Sequence, residues 1–463
     1  MIKSKVKTLL LFFKINIKLM IQLAQILFIL SVLVILHEFG HYITAKMFKV
    51  RVEKFYLFMD AGFALVKKKI GETEWGIGWL PLGGYVKLSG MIDESMDTDQ
   101  MNQEPQPWEF RSKPAWQRLI IMLGGIIVNV LLAWLIFTVM YSTVGKRYVS
   151  TEVLQKNGLQ FGEVGQSVGF KNGDKFVSVD GKFQDNFGRM TMDVLFSEEI
   201  KVNRNGEIVT LHLTDEQIGE IISKEGKNFV SARSIGIKVD SIVPKSQADK
   251  AGLKVGDSIL SINGKKVEFY DEFGTELKNH KKEDLAVVVL RNHKMDTLIA
   301  KSDDDGKLGF IANSKTNDDF LIQQKMSFFE AFPAAVKESW SLLVYNVKSL
   351  KLIVRPKTGA YKQVQSPIGI ARRLPNTWNW EFIWNFTALF SIGLAFMNLL
   401  PIPGLDGGHA LLTIAEMITG KTLSDKAMGY VQTGGMIILL TLMALTFGKD
   451  IYMWISETFF NKI

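Results

Sequence analysis

The chain has 463 residues, of which 47% are hydrophobic and 22% charged, with a formal net charge of +8 and no cysteine. That length is too great for one ordinary core and predicts several domains. Disulfides and thiolate ligands are excluded, so any metal must be held by His, Asp or Glu; the positive excess lacks a basic stretch interleaved with aromatics and points to anionic lipid headgroups, not nucleic acid.

Residues 1–19 carry five lysines (Lys3, Lys5, Lys7, Lys14, Lys18) and read as an N-terminal extension, with Met20 an alternative start to Met1. An uncharged run from Met20 to Leu36 then predicts a first membrane helix over 20–48. A His-Glu pair follows it, not a small-residue cleavage site, which argues against a signal peptide. Residues 49–118 form a β and loop region, in which Phe55 to Leu88 alternates between turn residues. A second span is expected over 119–143.

The next stretch holds an internal echo. Val168 to Lys182 parallels Ala251 to Lys265, each copy reading as a turn, Gly-Asp, a strand and a tight turn. Two related β-rich domains are predicted, over 144–221 and 222–312. Across 326–355, Phe332, Val336, Trp340, Val344 and Val347 recur at helical spacing between charged residues. That is an amphipathic helix, suited to the membrane surface or to a β-rich module. Uncharged runs from Phe382 to Ile402 and Ala427 to Phe447 complete four spans, predicted over 382–408 and 427–447. The fold class is a multi-pass α-helical membrane protein with four transmembrane helices, a β-hairpin region after the first, and two β-rich domains inserted between helices 2 and 3.

The chemistry concentrates where apolar runs end. His37-Glu38-Phe39-Gly40-His41 is an H-E-x-x-H pattern. On a helix, positions i and i+4 share a face, so both imidazoles can bind one metal with Glu38 beside them as base. Ionisable groups at membrane depth are costly unless they do something. A third ligand is needed, and Asn398-Leu399-Leu400-Pro401-Ile402-Pro403-Gly404-Leu405-Asp406-Gly407-Gly408-His409 offers two candidates. Its two prolines and three glycines should break the third span, a break tolerated only where it lines protein or a watery cavity. Asp406 is a good ligand there, and His409 is its rival on spacing.

H-E-F-G-H in a first span, paired with N-x-x-P-x-P-x-L-D-G in a later one, resembles the site-2 protease family of intramembrane zinc metalloproteases. The resemblance implies Zn2+ held by His37, His41 and Asp406, Glu38 as base, and Asn398, Pro401 and Pro403 handling the substrate helix. Leu80 to Lys87, with Gly83 and Gly84, resembles the family's membrane-associated β-structure after the first helix. Phe110 to Arg118 resembles the approach to the second, and Asn129 matches an intramembrane asparagine there. The family has a proline after the glycine where this chain has Gly125 or Ile126. The repeats resemble the tandem PDZ domains of the bacterial branch, with Ser234-Ile235-Gly236-Ile237 as the second copy's ligand loop.

The expected function is hydrolysis of peptide bonds within or near transmembrane segments of membrane-anchored substrates, of the anti-sigma-factor or remnant-signal-peptide type. The expected site of action is the bacterial inner membrane, with the PDZ domains outside the cytoplasm. Those domains would bind new carboxyl termini or exclude bulky ectodomains, and an exposed strand edge between Phe55 and Leu88 would capture the unwound substrate. A non-enzymatic PDZ scaffold would have no use for H-E-x-x-H, and a transporter with broken helices would show symmetry between membrane halves that this chain lacks.

Overall fold

The computed structural model describes residues 2–81, 83–91, 104–224, 226–312, 317–421 and 425–456. Met1 of the expected extension, residues 92–103 of the β and loop region, Leu82 beside Gly83, and Glu225 of the expected second domain lie outside them. The chain separates into two compact units, one of residues 1–145, 325–348 and 364–463, the other of residues 146–324 and 349–363.

In the first unit, helix α1 (Ile2–Met47) is continuous through the stretch expected as a separate extension. Four strands follow: β1 (Val52–Leu57), β2 (Met59–Ile70), β3 (Thr73–Leu80) and β4 (Tyr85–Leu88). Their order in the sheet is β2-β3-β1-β4, with β1 and β3 parallel and the other pairs antiparallel. At the β2–β3 hairpin Phe63, Leu65, Val66 and Trp79 are exposed, and the Phe63 and Trp79 rings stack at 5.7 Å. An apolar surface of this kind suits lipid better than water.

Helix α2 (Ala115–Thr143) comes next, then α3 (Phe328–Ile353), α4 (Trp380–Leu399), α5 (Asp406–Thr419) and α6 (Asp425–Ile455). Four of these helices contain spans long and apolar enough to cross a membrane: Ile17–Met47, Ala115–Thr143, Trp380–Leu399 and Ala427–Met453. The most apolar part of α2 is 44% buried and that of α6 only 6%, so α2 is the centre of the group and α6 its periphery. The backbones of α1 and α2 touch where a Cβ on Gly124 would lie 2.6 Å from the Gly40 carbonyl oxygen, the small-residue contact that lets membrane helices approach closely. Ile29 and Leu33 of α1 pack with Ile383 of α4, which brings the end of α4 beside the end of α1.

Within the span predicted over 382–408, α4 stops at Leu399 and α5 starts at Asp406. Pro401 and Pro403 cannot donate to a helix ladder, and Gly404 takes φ +90°. Gly407 and Gly408 do not break anything: they open α5, where a Cβ would run into the backbone of residues 399–403. A helix forms over Phe328–Ile353, and most of its periodic apolar stripe faces outward. Phe332 (49%), Trp340 (68%), Val344 (39%) and Val347 (56%) are exposed, while Ala331, Ala335 and Ser339 are buried. Ala331 and Ala335 pack with Ala133, Phe137 and Met140 of α2 and Ala388 and Ile392 of α4. Between apolar helices, close contact is made by small side chains and the bulky ones turn outward.

The second unit holds thirteen strands among the described residues: β5 (Lys146–Val149), β6 (Leu159–Phe161), β7 (Lys175–Val179), β8 (Ile200–Arg204), β9 (Glu207–Leu211), β10 (Val230–Ala232), β11 (Ile237–Ile242), β12 (Ser258–Ile262), β13 (Lys265–Lys266), β14 (Asp284–Arg291), β15 (Lys294–Lys301), β16 (Phe310–Ala312) and β17 (Leu321–Gln324). One core gathers Phe161, Phe170, Phe176 and Phe229, and a second gathers Ile237, Ile259, Phe273 and Val287. The boundary expected at residues 221/222 falls too early, because β10 pairs with β6 of the first core. β17 returns from further along the chain to pair with β5.

The echoed Gly-Asp pairs do the same work in both cores. Asp174 and Asp257 are fully buried, each accepts the backbone N–H of the residue three earlier, and each is gripped by an arginine, Arg204 or Arg291. Each arginine also donates to a glycine carbonyl, Gly169 or Gly252. Burial opposes ionisation of Asp257, but Arg291 and the Lys254 amide outweigh it and hold its carboxyl below the usual range. A depressed carboxyl stabilises the fold above its ordinary pKa, and that stability is lost as the pH falls through the depressed value. Asp257→Ala removes the carboxylate shared by Arg291 and the Lys254 amide, leaving Arg291 only Asp296 and the Gly252 carbonyl, and the second core is expected to lose about 2–3 kcal/mol by chemical denaturation. The gap between variant and parent should close in strong acid; a gap unchanged from neutral pH down to pH 2 would be the wrong result.

Candidate metal centre

His37 and His41 sit one turn apart near the end of α1, with His41 six residues, about 9 Å, before Met47. Asp406 is the first residue of α5, where the positive end of the helix dipole favours a carboxylate. The Pro-Ile-Pro-Gly break turns the chain back on α4 and delivers Asp406 to the two rings. His37 Nε2 lies 3.2 Å and His41 Nε2 3.3 Å from Asp406 Oδ2, and the two Nε2 atoms are 3.4 Å apart. Among the described residues these three form a group able to hold a metal ion.

The spacing tests the fit. Nitrogen and oxygen ligands about 2.0–2.2 Å from a tetrahedral ion stand about 3.3–3.6 Å from one another, close to the three distances found. Asp406 Oδ2 is buried and accepts no hydrogen bond, an orphan that a cation between the three atoms would satisfy. The donor set, two imidazoles and one carboxylate, suits zinc with a fourth position left open.

The rings are backed by α2. His41 Nδ1 is 2.9 Å from the Ile121 carbonyl oxygen, and the Asn129 amide is 3.1 Å from His37 Nδ1. Between them, a Cβ on Gly125 would fall 2.5 Å from His37 Cε1 and from His41 Nε2, so no side chain fits there. On the open side lies a hollow of about 120 Å³, lined among others by Glu38, Tyr85, Val86, Asn398, Asp406 and His409.

The structure thus brings His37, Glu38, His41, Asp406 and Asn398 to one place. It does not bring Asn129 to the hollow: Asn129 is 0% exposed and packs behind His37. Gly83 and Gly84 lead into β4, whose Tyr85 and Val86 line the hollow in their stead. Pro401 and Pro403 shape the break, and the Pro403 carbonyl packs against Gly435 of α6. His409, the rival ligand, lines the hollow but bonds to Gln432 of α6 and stays outside the metal group. Gln432 escaped the sequence reading, although a glutamine inside an apolar run was its visible signal.

The expected peptide loop Ser234–Ile237 fares differently. Its Gly236 N–H donates to the Glu268 carbonyl, and β11 is an interior strand with β12 and β16 on its two sides. Ile235, Gly236 and Ile237 do line a hollow, without any residue of the helix Tyr270–Asn279. That sheet has β15 and β16 as its two edges, and at β16 Phe310 meets Phe273 of that helix at 6.0 Å.

Comparison with known proteins agrees with this chemistry. The model of peptidase family M50 matches residues 25–442. A provisionally named zinc metalloprotease of Vibrio cholerae is 31% identical over 452 residues, covering 91% of this chain and 96% of that protein. The regulator of sigma-E protease RseP of Escherichia coli is 27% identical over 458 residues, covering 93% and 98%. Protease RseP of Yersinia pestis is 26% identical over 461 residues, again covering 93% and 98%. With the family's match spanning the metal group and all but the ends of the chain, this protein belongs to peptidase family M50, the zinc metalloproteases of site-2 protease type.

Proposed function

We propose that the chain cuts peptide bonds within or near the transmembrane segments of membrane-anchored proteins, with His37, His41 and Asp406 as zinc ligands and Glu38 as the base. The observation that carries this is the trio of ligand atoms at tetrahedral spacing beside a carboxylate, within helices apolar enough to cross a membrane. Zinc held there would polarise the scissile carbonyl and acidify a water molecule. Glu38 takes the proton that water loses as its oxygen bonds to the carbonyl carbon, then hands it to the nitrogen as the C–N bond breaks. Asn398, whose amide lines the hollow 3.1 Å from His37 Nε2, is placed to donate to the carbonyl oxygen as charge builds on it.

A helical substrate hides its peptide groups in its own hydrogen bonds and must be unwound first. β4 is one of the two edge strands of its sheet, and its Tyr85, Val86 and Leu88 line the hollow, so the unwound segment adds to that edge as a further strand. Proline at Val86 is expected to abolish cleavage of a transmembrane peptide by the purified protein. Continued cleavage, with fold and zinc content intact, would remove strand capture from the mechanism.

The two β-rich domains act as PDZ modules on the extracytoplasmic side of the bacterial inner membrane. The short edge strand β16, flanked by the helix Tyr270–Asn279, supports peptide addition there in place of the loop at Ser234. The Asp257→Ala chain, with its second core weakened, separates the two roles open to them. Recruitment predicts loss of cleavage, and exclusion predicts cleavage of substrates that keep a bulky ectodomain. The name of the Escherichia coli relative, a regulator of sigma-E, favours an anti-sigma factor over a remnant signal peptide as substrate.

A further inference from the structure

The hydrogen bonding around His37 is inconsistent if both neighbouring amides present nitrogen. Asn129 Nδ2 stands 3.1 Å from His37 Nδ1, and Asn398 Nδ2 stands 3.1 Å from His37 Nε2. A neutral imidazole has one nitrogen that accepts and one that donates, so it cannot receive N–H groups on both. Meanwhile Asn129 Oδ1 is buried with no partner. Exchanging the oxygen and nitrogen of an amide by a half-turn changes its shape hardly at all, so the hydrogen bonds must decide which atom faces the ring.

They decide it at Asn129. Nε2 is the His37 atom that faces Asp406 and His41, at 3.2 and 3.4 Å, so it is the atom that offers its lone pair to a metal. The ring's proton then sits on Nδ1, and Nδ1 must donate. Only a carbonyl oxygen can receive that proton from Asn129. The half-turn gives Oδ1 that proton to accept and moves the unpaired end of the amide from oxygen to nitrogen. His41 shows the same arrangement without ambiguity: its Nδ1 faces the Ile121 carbonyl, which can only accept.

We infer that Asn129 is a positioning residue, which holds the His37 imidazole in its metal-ligating tautomer by accepting a hydrogen bond from Nδ1–H through Oδ1. Together with the Ile121 carbonyl two turns away, it makes one face of α2 the plate against which both ligand rings are set. The plate is itself held, since the Ser391 hydroxyl of α4 donates to the Asn129 backbone carbonyl at 2.7 Å. Partners of this kind raise the basicity of a ligating histidine and fix its ring, and losing one lowers metal affinity by about 10–100-fold.

This inference rests on His37 being a zinc ligand, and the test keeps the two claims apart. Zinc affinity is measured on the detergent-purified full chain by competition with a chelator of known strength, for the parent, Asn129→Leu and Asn129→Asp, with helical content followed in each. The expected result is affinity weakened about 10–100-fold in Asn129→Leu and held within about threefold of the parent in Asn129→Asp, whose carboxylate accepts the same proton. Asn129→Leu binding like the parent would overturn the inference, as would Asn129→Asp binding as weakly as Asn129→Leu, since an amide N–H would then be what the ring needs. Should Asn129→Leu not fold, the Asp variant alone decides. A parent chain that takes up no stoichiometric zinc would instead bring down the metal-centre reading, and this inference with it.

Discussion

Glu38→Gln is expected to lower the turnover of a transmembrane peptide by about 10²–10⁴-fold while one zinc per chain stays bound. Glutamine keeps the size and hydrogen-bonding reach of Glu38 but cannot accept a proton. The group able to hold a metal ion is made of His37, His41 and Asp406, so the substitution leaves it untouched. Proton transfer belongs to the transition state and not to substrate binding, so kcat should fall with KM nearly constant. Metal analysis beside the cleavage assay separates this from trivial unfolding. Turnover within tenfold of the parent, with zinc retained, would mean that some other group in the hollow takes the proton and that Glu38 has been misassigned.

The parts of this protein that were legible in its sequence are those set by local pattern. Uninterrupted apolar runs announce spans because a bilayer demands about twenty such residues, and i, i+4 spacing puts His37 and His41 on one helix face. Asp406 lies 365 residues beyond His41; the broken span made it a candidate beside His409, and the resemblance to a known family chose between the two. The burial of Asn129 was hidden for a related reason. An asparagine in an apolar run signals a purpose, but whether it faces a substrate or the back of a ligand depends on which helix it packs against. The stripe on α3 left its partner open because a helical period reveals that two faces differ, not which one is packed. In water the bulky apolar face turns inward; against α2 and α4 the contact is made by Ala331 and Ala335. The first domain's reach to Ala232 depends on the pairing of β10 with β6, about seventy residues apart, and β16 is an edge only because of the order of strands in its sheet. Pairings of that range leave no periodic trace.

Gly125→Ala should cost at least about a hundredfold in cleavage and weaken zinc binding without unfolding α2. The added methyl would lie 2.5 Å from His37 Cε1 and from His41 Nε2 and 2.7 Å from His37 Nδ1. Carbon and nitrogen atoms do not approach closer than about 3.4 Å without strain, so one or both rings must move by about 1 Å, and a displacement of that size at a reacting centre costs about 10² in rate. The helix itself has no reason to fail, since alanine is a better helix former than glycine by about 1 kcal/mol. Its neighbour is a different case. At Gly124 the methyl would meet the Gly40 carbonyl oxygen at 2.6 Å and the Thr44 hydroxyl at 2.7 Å, so Gly124→Ala pushes backbone against backbone and separates α1 from α2. The pair therefore divides two requirements that lie side by side in the sequence. Gly124→Ala should lower thermal stability and zinc affinity together, whereas Gly125→Ala should lower zinc affinity at nearly unchanged stability. A Gly125→Ala chain that binds zinc and cuts like its parent would show that the rings do not lie against α2, and the placement of both histidines would have to be redrawn.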